Sequence, residues 1–154
     1  MKLVAPLKFW YQYQPTKDNF NESLTPISVF HSVEGFWSVY QHFQRPSNLE
    51  DNTYLYLFRE NVKPVWEDPA NLNGGCFILR FAKDKSDKVW EDILLAFVAA
   101  NTSKFEFVNG IRFKIRKTLL VIEVWVSDVQ QEKETESIRD WIIKATCLNV
   151  DTPI

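Results

Sequence analysis

The 154-residue chain lacks the features that define several large protein classes. It has only two cysteines, Cys76 and Cys147, and their spacing matches no metal-binding motif. We therefore expect free thiols in a reducing compartment. No apolar run is long enough for a membrane span, and residues 1–6 do not form a secretory signal.

Excess positive charge is also absent, because 18 basic and 20 acidic residues give a formal net charge of −2. Proteins that coat long stretches of nucleic acid are usually basic, so any nucleic-acid contact should be small and local. A hydrolase would need clustered metal-binding carboxylates or a nucleophile beside its base, and the sequence suggests neither. Residues 131–136 (QEKETE) are typical of a solvated helix start. We therefore expect no enzymatic activity and no cofactor.

Aromatic residues, in contrast, are abundant, with six Trp and twelve Phe. Such residues pack cores, but their flat faces also bind nucleic-acid bases. The length suits one domain with one core, and we treat residues 1–154 as that domain.

The pattern of apolar residues predicts strands and helices without regular βαβ alternation. Helical spacing predicts three helices: one begins after an N-cap at Ser32, one contains Trp90 and one contains Ile138. Turns are predicted at residues 73–75 (NGG) and 109–110 (NG). The predicted strands are 7–14, 24–30, 53–58, 76–81, 111–116 and 119–126, and the last two should pair as a hairpin. Residues 61–66 are predicted to be a short extended segment. This order favours an α+β fold, an antiparallel sheet with helices on one face and a ligand on the other.

Two motifs stand at a specific distance from each other: VEGFW at residues 33–37, and PVWED at 64–68 with Gly-Gly at 74–75. In these motifs the chain resembles the eukaryotic translation initiation factor 4E family, from about Leu7 to the last helix. The resemblance implies a curved antiparallel sheet with three helices on its convex face and the messenger-RNA cap site on its concave face. It also implies a C-terminal strand and loop, which we expect this chain to lack.

The resemblance assigns the cap base, 7-methylguanine, to four residues. Trp66 and Phe20 would stack on its two faces, although the family usually has Trp where this chain has Phe20. The positive charge of the base adds cation–π attraction, for which Phe is a weaker partner than Trp. Glu67 would accept hydrogen bonds from the guanine edge, and Trp125 would contact the methyl group.

Cations on one predicted strand would bind the cap phosphates. Arg112, Lys114 and Arg116 alternate along the chain and therefore share one face of the strand. Ile111, Phe113 and Ile115 take the other face and are predicted to lie in the core. Arg116 matches the family's phosphate-binding arginine, and Lys117 follows it. Arg112 and Lys114 are assigned here by strand alternation alone.

A second site is implied on the helices. Val33 and Trp37, one helical turn apart, match the positions on which family members dock a partner helix of the Tyr-x-x-x-x-Leu-hydrophobic type. Leu95 on the second helix matches a further contact. Glu91 replaces the apolar residue that is common at its position, and we expect it to affect partner choice.

The leading hypothesis is a monomeric cap-binding protein of translation initiation that docks a scaffold protein, located in the cytoplasm with the nucleus as a second location. Its first rival is a cap-binding translational repressor of the class II, 4E-homologous type, which does not recruit the scaffold. Phe20, Glu91 and the Arg45-Pro46 pair resemble that branch. A cap-hydrolysing enzyme and an interaction module that has lost the cap are the second and third rivals. The sequence leaves the choice between activator and repressor open.

Overall fold

The secondary structure comes from a computed structural model that describes residues 1–103 and 107–146. Its strands are β1 Lys2–Tyr13, β2 Thr25–Ser32, β3 Thr53–Arg59, β4 Gly75–Ala82, β5 Val108–Ile115 and β6 Leu119–Val126. Its α-helices are α1 Phe20–Ser23, α2 Val33–Tyr40, α3 Ser86–Ala100 and α4 Glu132–Thr146. None of the helices in these described ranges is both long and apolar enough to cross a membrane.

The strands form one sheet in the order β2-β1-β3-β5-β6-β4, and every neighbouring pair is antiparallel. The predicted α+β class with a curved antiparallel sheet and three longer helices is therefore confirmed. The predicted hairpin is also present, since the backbone N–H of Arg116 donates to the carbonyl of Leu119 at 3.0 Å between β5 and β6. At the predicted N-cap of α2, the hydroxyl of Ser32 accepts a hydrogen bond from Gly35 N–H at 3.0 Å.

The main core lies between the sheet and helices α2, α3 and α4, on what we call the convex face. One residue from each helix shows the burial: Phe36, Ile93 and Ile142 are all without solvent exposure. Side chains that alternate along β5, such as Ile111 and Phe113, face these helices. Each such burial stabilises the fold by about 1.5–3 kcal/mol.

The opposite side of the sheet, the concave face, holds a second and smaller apolar cluster. Phe20 of α1, Ala70 and Cys76 pack against its edge and are half-buried. Its buried members, which we call the concave cluster, are Trp10, Leu24, Tyr54, Tyr56, Phe58, Val62, Val65 and Trp125.

The turn predicted at Asn109-Gly110 is wrong, because both residues lie inside β5. The pairing of β5 with β6 is irregular between Val108 and Gly110. A Cβ atom at Gly110 would stand 2.2 Å from Cγ of the buried Phe58 ring. Glycine is therefore required for close packing of two strands, and an Asn-Gly pair carries no information about such a contact.

Other boundaries differ less. Strand β1 begins at Lys2, five residues before the predicted start, and the predicted loop before β2 contains the single-turn helix α1. The segment 61–66, predicted to be extended, is instead formed mainly of bends and turns.

Candidate functional site

The loop 60–74 joins β3 to β4 and carries the sequence motif that contains Trp66. Asp68 fixes its shape, because the carboxylate accepts hydrogen bonds from two backbone N–H groups of the loop, each at 2.9 Å. The side chain of Asn71, only 1% exposed, donates to the carbonyl of Val65 at 2.8 Å. The loop is therefore shaped by its own polar side chains immediately around Trp66.

A second asparagine ties this loop to the sheet. Asn109, at the start of β5, is 3% exposed. Its amide group donates to Asn71 Oδ1 and to the carbonyl of Ala70, both at 2.8 Å. Buried amides are costly to leave unpaired, so these bonds hold the loop after Trp66, and the bond from Asn71 to Val65 holds the segment before it.

The Trp66 ring lies parallel to Trp125, with ring centroids 3.8 Å apart and an interplanar angle of 10°. Trp66 is 41% exposed, whereas Trp125 is 1% exposed. One face of the Trp66 indole is therefore covered by Trp125, and the ring still offers a large accessible surface. This is an uncommon position for the largest side chain, and it fits a surface that stacks on another flat ring.

Glu67 and Phe20, which are predicted to bind the same base as Trp66, differ in how accessible their side chains are. Glu67 is exposed, and its carboxylate accepts no hydrogen bond from any residue that the structure describes. Phe20, the first residue of α1, is half-buried against the concave cluster, and its carbonyl accepts a hydrogen bond from Gln12 Nε2 at 2.7 Å. Within the described ranges, the rings of Phe20 and Trp66 do not form an aromatic pair.

A buried carboxylate, Glu123 on β6, organises the centre of the concave face. It receives two hydrogen bonds from the Arg112 guanidinium, at 3.0 and 2.8 Å. Lys114 Nζ lies 2.7 Å from Oε2, and the indole N–H of Trp125 donates to Oε1 at 3.0 Å. Glu123 is 3% exposed.

The charge state of this cluster follows from its contacts. Burial alone would raise the pKa of Glu123, but the hydrogen bonds and charges of Arg112 and Lys114 outweigh it and hold the pKa below the usual glutamate range. Burial would also lower the pKa of Arg112, yet the Glu123 carboxylate raises it above its ordinary value. Both groups are therefore ionised at neutral pH.

The remaining cations lie at the end of the β5–β6 hairpin. Arg116 is half-buried, and its guanidinium donates to Asn52 Oδ1 at 2.7 Å and to the Tyr54 hydroxyl at 3.0 Å. Both partners are neutral, so they orient the charge of Arg116, and no carboxylate of the described residues pairs with it. Lys117 is exposed, and within residues 1–103 and 107–146 it has no ion-pair partner.

Trp66, Trp125, Arg112 and Lys114 therefore meet on the concave face. The exposed carboxylate of Glu67 is next to Trp66 in the loop, and the cations Arg116 and Lys117 are at the end of the hairpin. Such a surface fits a ligand that combines a flat ring, hydrogen-bond donors at its edge and an anionic tail. No group of three or more His, Cys, Asp or Glu side chains that could hold a metal ion occurs in the described part of the chain.

Comparison with known proteins assigns the family. The family model described as "Eukaryotic initiation factor 4E" matches residues 2–153. The chain belongs to this family. A wheat relative (Triticum aestivum), eukaryotic translation initiation factor NCBP, is 36% identical over 143 residues, which cover 91% of this chain and 62% of that protein. The chain spans less than two thirds of the length of the curated relatives it matches first.

Two further comparisons, one with a sequence relative and one with a solved structure, agree with this family. The Caenorhabditis elegans eukaryotic translation initiation factor 4E-4 is 33% identical, with coverage of 86% of this chain and 64% of that protein. The crystal structure of Ascaris suum eIF4E-3 in complex with an m2,2,7G cap has a TM-score of 0.86 at 26% identity. That match covers 96% of this chain and 85% of the Ascaris chain.

The predicted docking residues of this 4E-family chain lie on the convex side, on the outer surface of helices α2 and α3. Trp37 is 44% exposed, whereas Val33 and Leu95 are half-buried. Beside them, the carboxylate of Glu91 accepts a hydrogen bond from the Tyr40 hydroxyl at 2.9 Å. The structure thus places an apolar surface and a charged residue next to each other on these helices.

Sequence reasoning missed three residues that support the 4E-family site: Glu123, Asn71 and Asn109. For Glu123 a signal was available, since the predicted hairpin places it directly opposite Arg112, and opposite charges at such positions attract. The asparagines had no signal of this kind, because their bonds join segments 38 residues apart.

Proposed function

We propose that this chain binds the 7-methylguanosine 5′ cap of messenger RNA in translation initiation, as a binding protein without catalytic activity. The observation that carries the proposal is the pair Trp66–Glu67, an exposed ring followed directly by an exposed carboxylate that has no partner among the described residues. The 4E-family membership supports it, as does the cap bound to the Ascaris relative.

The chemistry of the cap base matches this pair. Stacking on Trp66 stabilises a bound base by about 1–3 kcal/mol. The positive charge of 7-methylguanine adds about 0.5–2 kcal/mol of cation–π attraction, which unmethylated guanine lacks. Glu67 then accepts hydrogen bonds from the N1–H and N2–H groups, and the positive base strengthens both.

Two further rings complete the proposed base site after a rearrangement. Trp66 covers Trp125 at 3.8 Å, so contact between Trp125 and the cap methyl group requires Trp66 to turn away from that ring. Phe20 must approach from the loop before β2 to cover the second face of the base. Since Phe is the weaker cation–π partner, we expect weaker cap binding than a pair of tryptophans would give.

The triphosphate is assigned to the cations of β5 and its turn. Arg116 and Lys117 are the direct ligands in this proposal, because neither is paired with a carboxylate among the described residues. Arg112 and Lys114 lie on the same face of the strand and share Glu123. They contribute positive potential, which Glu123 partly cancels.

Docking of a partner helix is proposed on Val33, Trp37 and Leu95. An exposed tryptophan between half-buried aliphatic side chains fits the helix-in-groove mode, in which an amphipathic helix buries its apolar residues. The proposed partner is a scaffold protein with a Tyr-x-x-x-x-Leu-hydrophobic helix.

The second candidate function is a cap-binding repressor that does not recruit the scaffold. Glu91 favours it, because this carboxylate lies beside the docking surface, bonded to Tyr40 and 3.5 Å from the Arg45 guanidinium. A charged pair at the rim selects partners that complement it. A scaffold helix that binds as tightly as a repressor helix would remove the reason for this second candidate.

Cap binding is tested by titrating the protein with 7-methyl-GTP and with GTP while following tryptophan fluorescence. We expect a preference of about 2- to 30-fold for the methylated ligand, the equivalent of about 0.5–2 kcal/mol. Trp66→Ala should remove this preference, and Glu67→Gln should weaken both ligands by roughly tenfold or more. Leu72→Ala is the matched control, since Leu72 is an exposed apolar residue of the same loop. Equal affinity of the wild-type protein for the two nucleotides would refute cap recognition.

Partner docking is tested separately with labelled scaffold and repressor peptides. Trp37→Ala should weaken binding by about 30-fold or more, as expected for an exposed tryptophan at the centre of an interface. Val129→Ala, which removes an exposed apolar side chain elsewhere, should not. Equal effects of the two variants would place the peptide on another surface.

A further inference from the structure

We propose that Glu123 is an internal counterion that competes with the ligand's phosphates for Lys114, and thereby sets how strongly binding depends on phosphate number. Glu123 would then be a specificity-determining residue that does not touch the ligand. The identity of the complete ligand rests on the proposed cap-binding function. The competition itself concerns only polyphosphate and the cations of β5.

The two cations bound to Glu123 differ in how easily they can leave it. Arg112 makes two hydrogen bonds to the carboxylate and is 9% exposed, so its position is fixed. Lys114 makes a single contact of 2.7 Å, and its side chain is 22% exposed. A flexible lysine with one contact can exchange one anion for another at low cost, whereas a buried two-point arginine pair cannot.

Lys114 also lies close to the residue proposed to hold the phosphates. Its ammonium group is 5.9 Å from the centroid of the Tyr54 ring, and the guanidinium carbon of Arg116 is 5.4 Å from the same centroid. Both cations therefore lie around one ring on the concave face. A polyphosphate on Arg116 would come within reach of the Lys114 side chain and would offer it more than one negative charge.

A purely structural role for Glu123 makes a different prediction. If Glu123 only holds the hairpin and Trp125 in place, its removal should weaken every ligand to a similar extent. If Glu123 competes with phosphate, its removal should leave the nucleoside unaffected and strengthen the triphosphate. Removal of Glu123 therefore weakens triphosphate binding if its role is structural and strengthens it if Glu123 competes with phosphate.

The test compares wild-type protein with Glu123→Gln, which keeps the size of the side chain and removes its charge. The ligands are 7-methylguanosine, its monophosphate, its triphosphate and inorganic tripolyphosphate. We expect unchanged nucleoside affinity and about three- to tenfold tighter binding of the triphosphate and of tripolyphosphate. One charge removed at a distance of several ångströms has an effect of that order.

A double-mutant cycle with Lys114→Ala identifies the cation. Lys114→Ala should weaken tripolyphosphate binding about two- to threefold in the wild type and at least tenfold in Glu123→Gln, because only there is Lys114 free of its counterion. Lys117→Ala is the matched control, since Lys117 is exposed and its effect should be the same in both backgrounds. Equal effects of Lys114→Ala in the two backgrounds would overturn the proposal.

A second measurement covers the case in which Glu123→Gln does not fold. The ammonium resonance of Lys114 in the wild-type protein should shift when tripolyphosphate is added, and an unchanged resonance would overturn the proposal. Weaker triphosphate binding by a folded Glu123→Gln variant would also overturn it. Failure of cap recognition appears separately, as equal affinity for 7-methyl-GTP and GTP, and leaves the tripolyphosphate results interpretable.

Discussion

The two faces of the sheet are made by the same strands but have opposite character. Along β5, Ile111 and Phe113 face the helices and are at most 1% exposed. Between and beyond them, Arg112 and Lys114 face the concave side and pair with Glu123. Because successive side chains of a strand point to opposite faces, one short segment supplies both a core and a charged surface.

The tryptophans sharpen this comparison. Trp90 and Trp125 are 2% and 1% exposed, whereas Trp37 and Trp66 are 44% and 41% exposed. The exposed pair lies on opposite sides of the molecule, one on helix α2 and one in the loop that follows β3. The two exposed tryptophans are therefore the ones that can contact another molecule without a rearrangement, and each proposed site has one of them.

The largest expected effect is a difference in stability between variants of the convex core and variants of the concave face. Phe113→Ala removes a ring that is 1% exposed from the convex core, and we expect a loss of about 3–5 kcal/mol in the free energy of unfolding. Trp66→Ala removes a larger ring but should cost less, about 1–2 kcal/mol, because that residue is 41% exposed and its ring is covered by Trp125 on one face only. Urea denaturation of both variants measures the difference. Similar losses would mean that the two faces do not divide stability from binding.

An intermediate effect is expected from the bonds that hold the Trp66 loop. Asn109→Ala leaves Asn71 and the carbonyl of Ala70 without a donor from β5, which should cost about 1–3 kcal/mol of unfolding free energy. It should also weaken cap binding, because the backbone around Trp66 becomes less ordered. Asn73→Ala, at an exposed position of the same loop, is the control and should change stability by less than about 0.5 kcal/mol. Matching results for the two asparagines would show that the tether contributes nothing.

Features formed by residues close together in the sequence could be predicted, whereas contacts between distant segments could not. The core positions on β5, the N-cap at Ser32 and the hairpin follow from spacing within a few residues, and all were predicted. The role of Gly110 was misread, because its close contact with Phe58 joins two different strands. The stacking of Trp66 on Trp125 joins a loop to a strand that is distant in the sequence, and no residue pattern in either segment predicts it.

The smallest expected effect is the pH dependence of the stability that Glu123 contributes on the concave face. Arg112 and Lys114 overcome the burial of Glu123 and lower its pKa, so its ionised form is favoured in the folded protein. A carboxylate of this kind contributes stability that is present above its unfolded pKa of about 4.3 and is lost as the pH falls through the lower folded value. The difference in unfolding free energy between wild type and Glu123→Gln should therefore stay constant from about pH 7 to 5 and shrink below about pH 4. Urea denaturation across this range measures it, and Glu136→Gln, at an exposed position on α4, should show no such change. A difference that grew on acidification would mean that burial, and not the pairing with Arg112 and Lys114, determines the charge of Glu123.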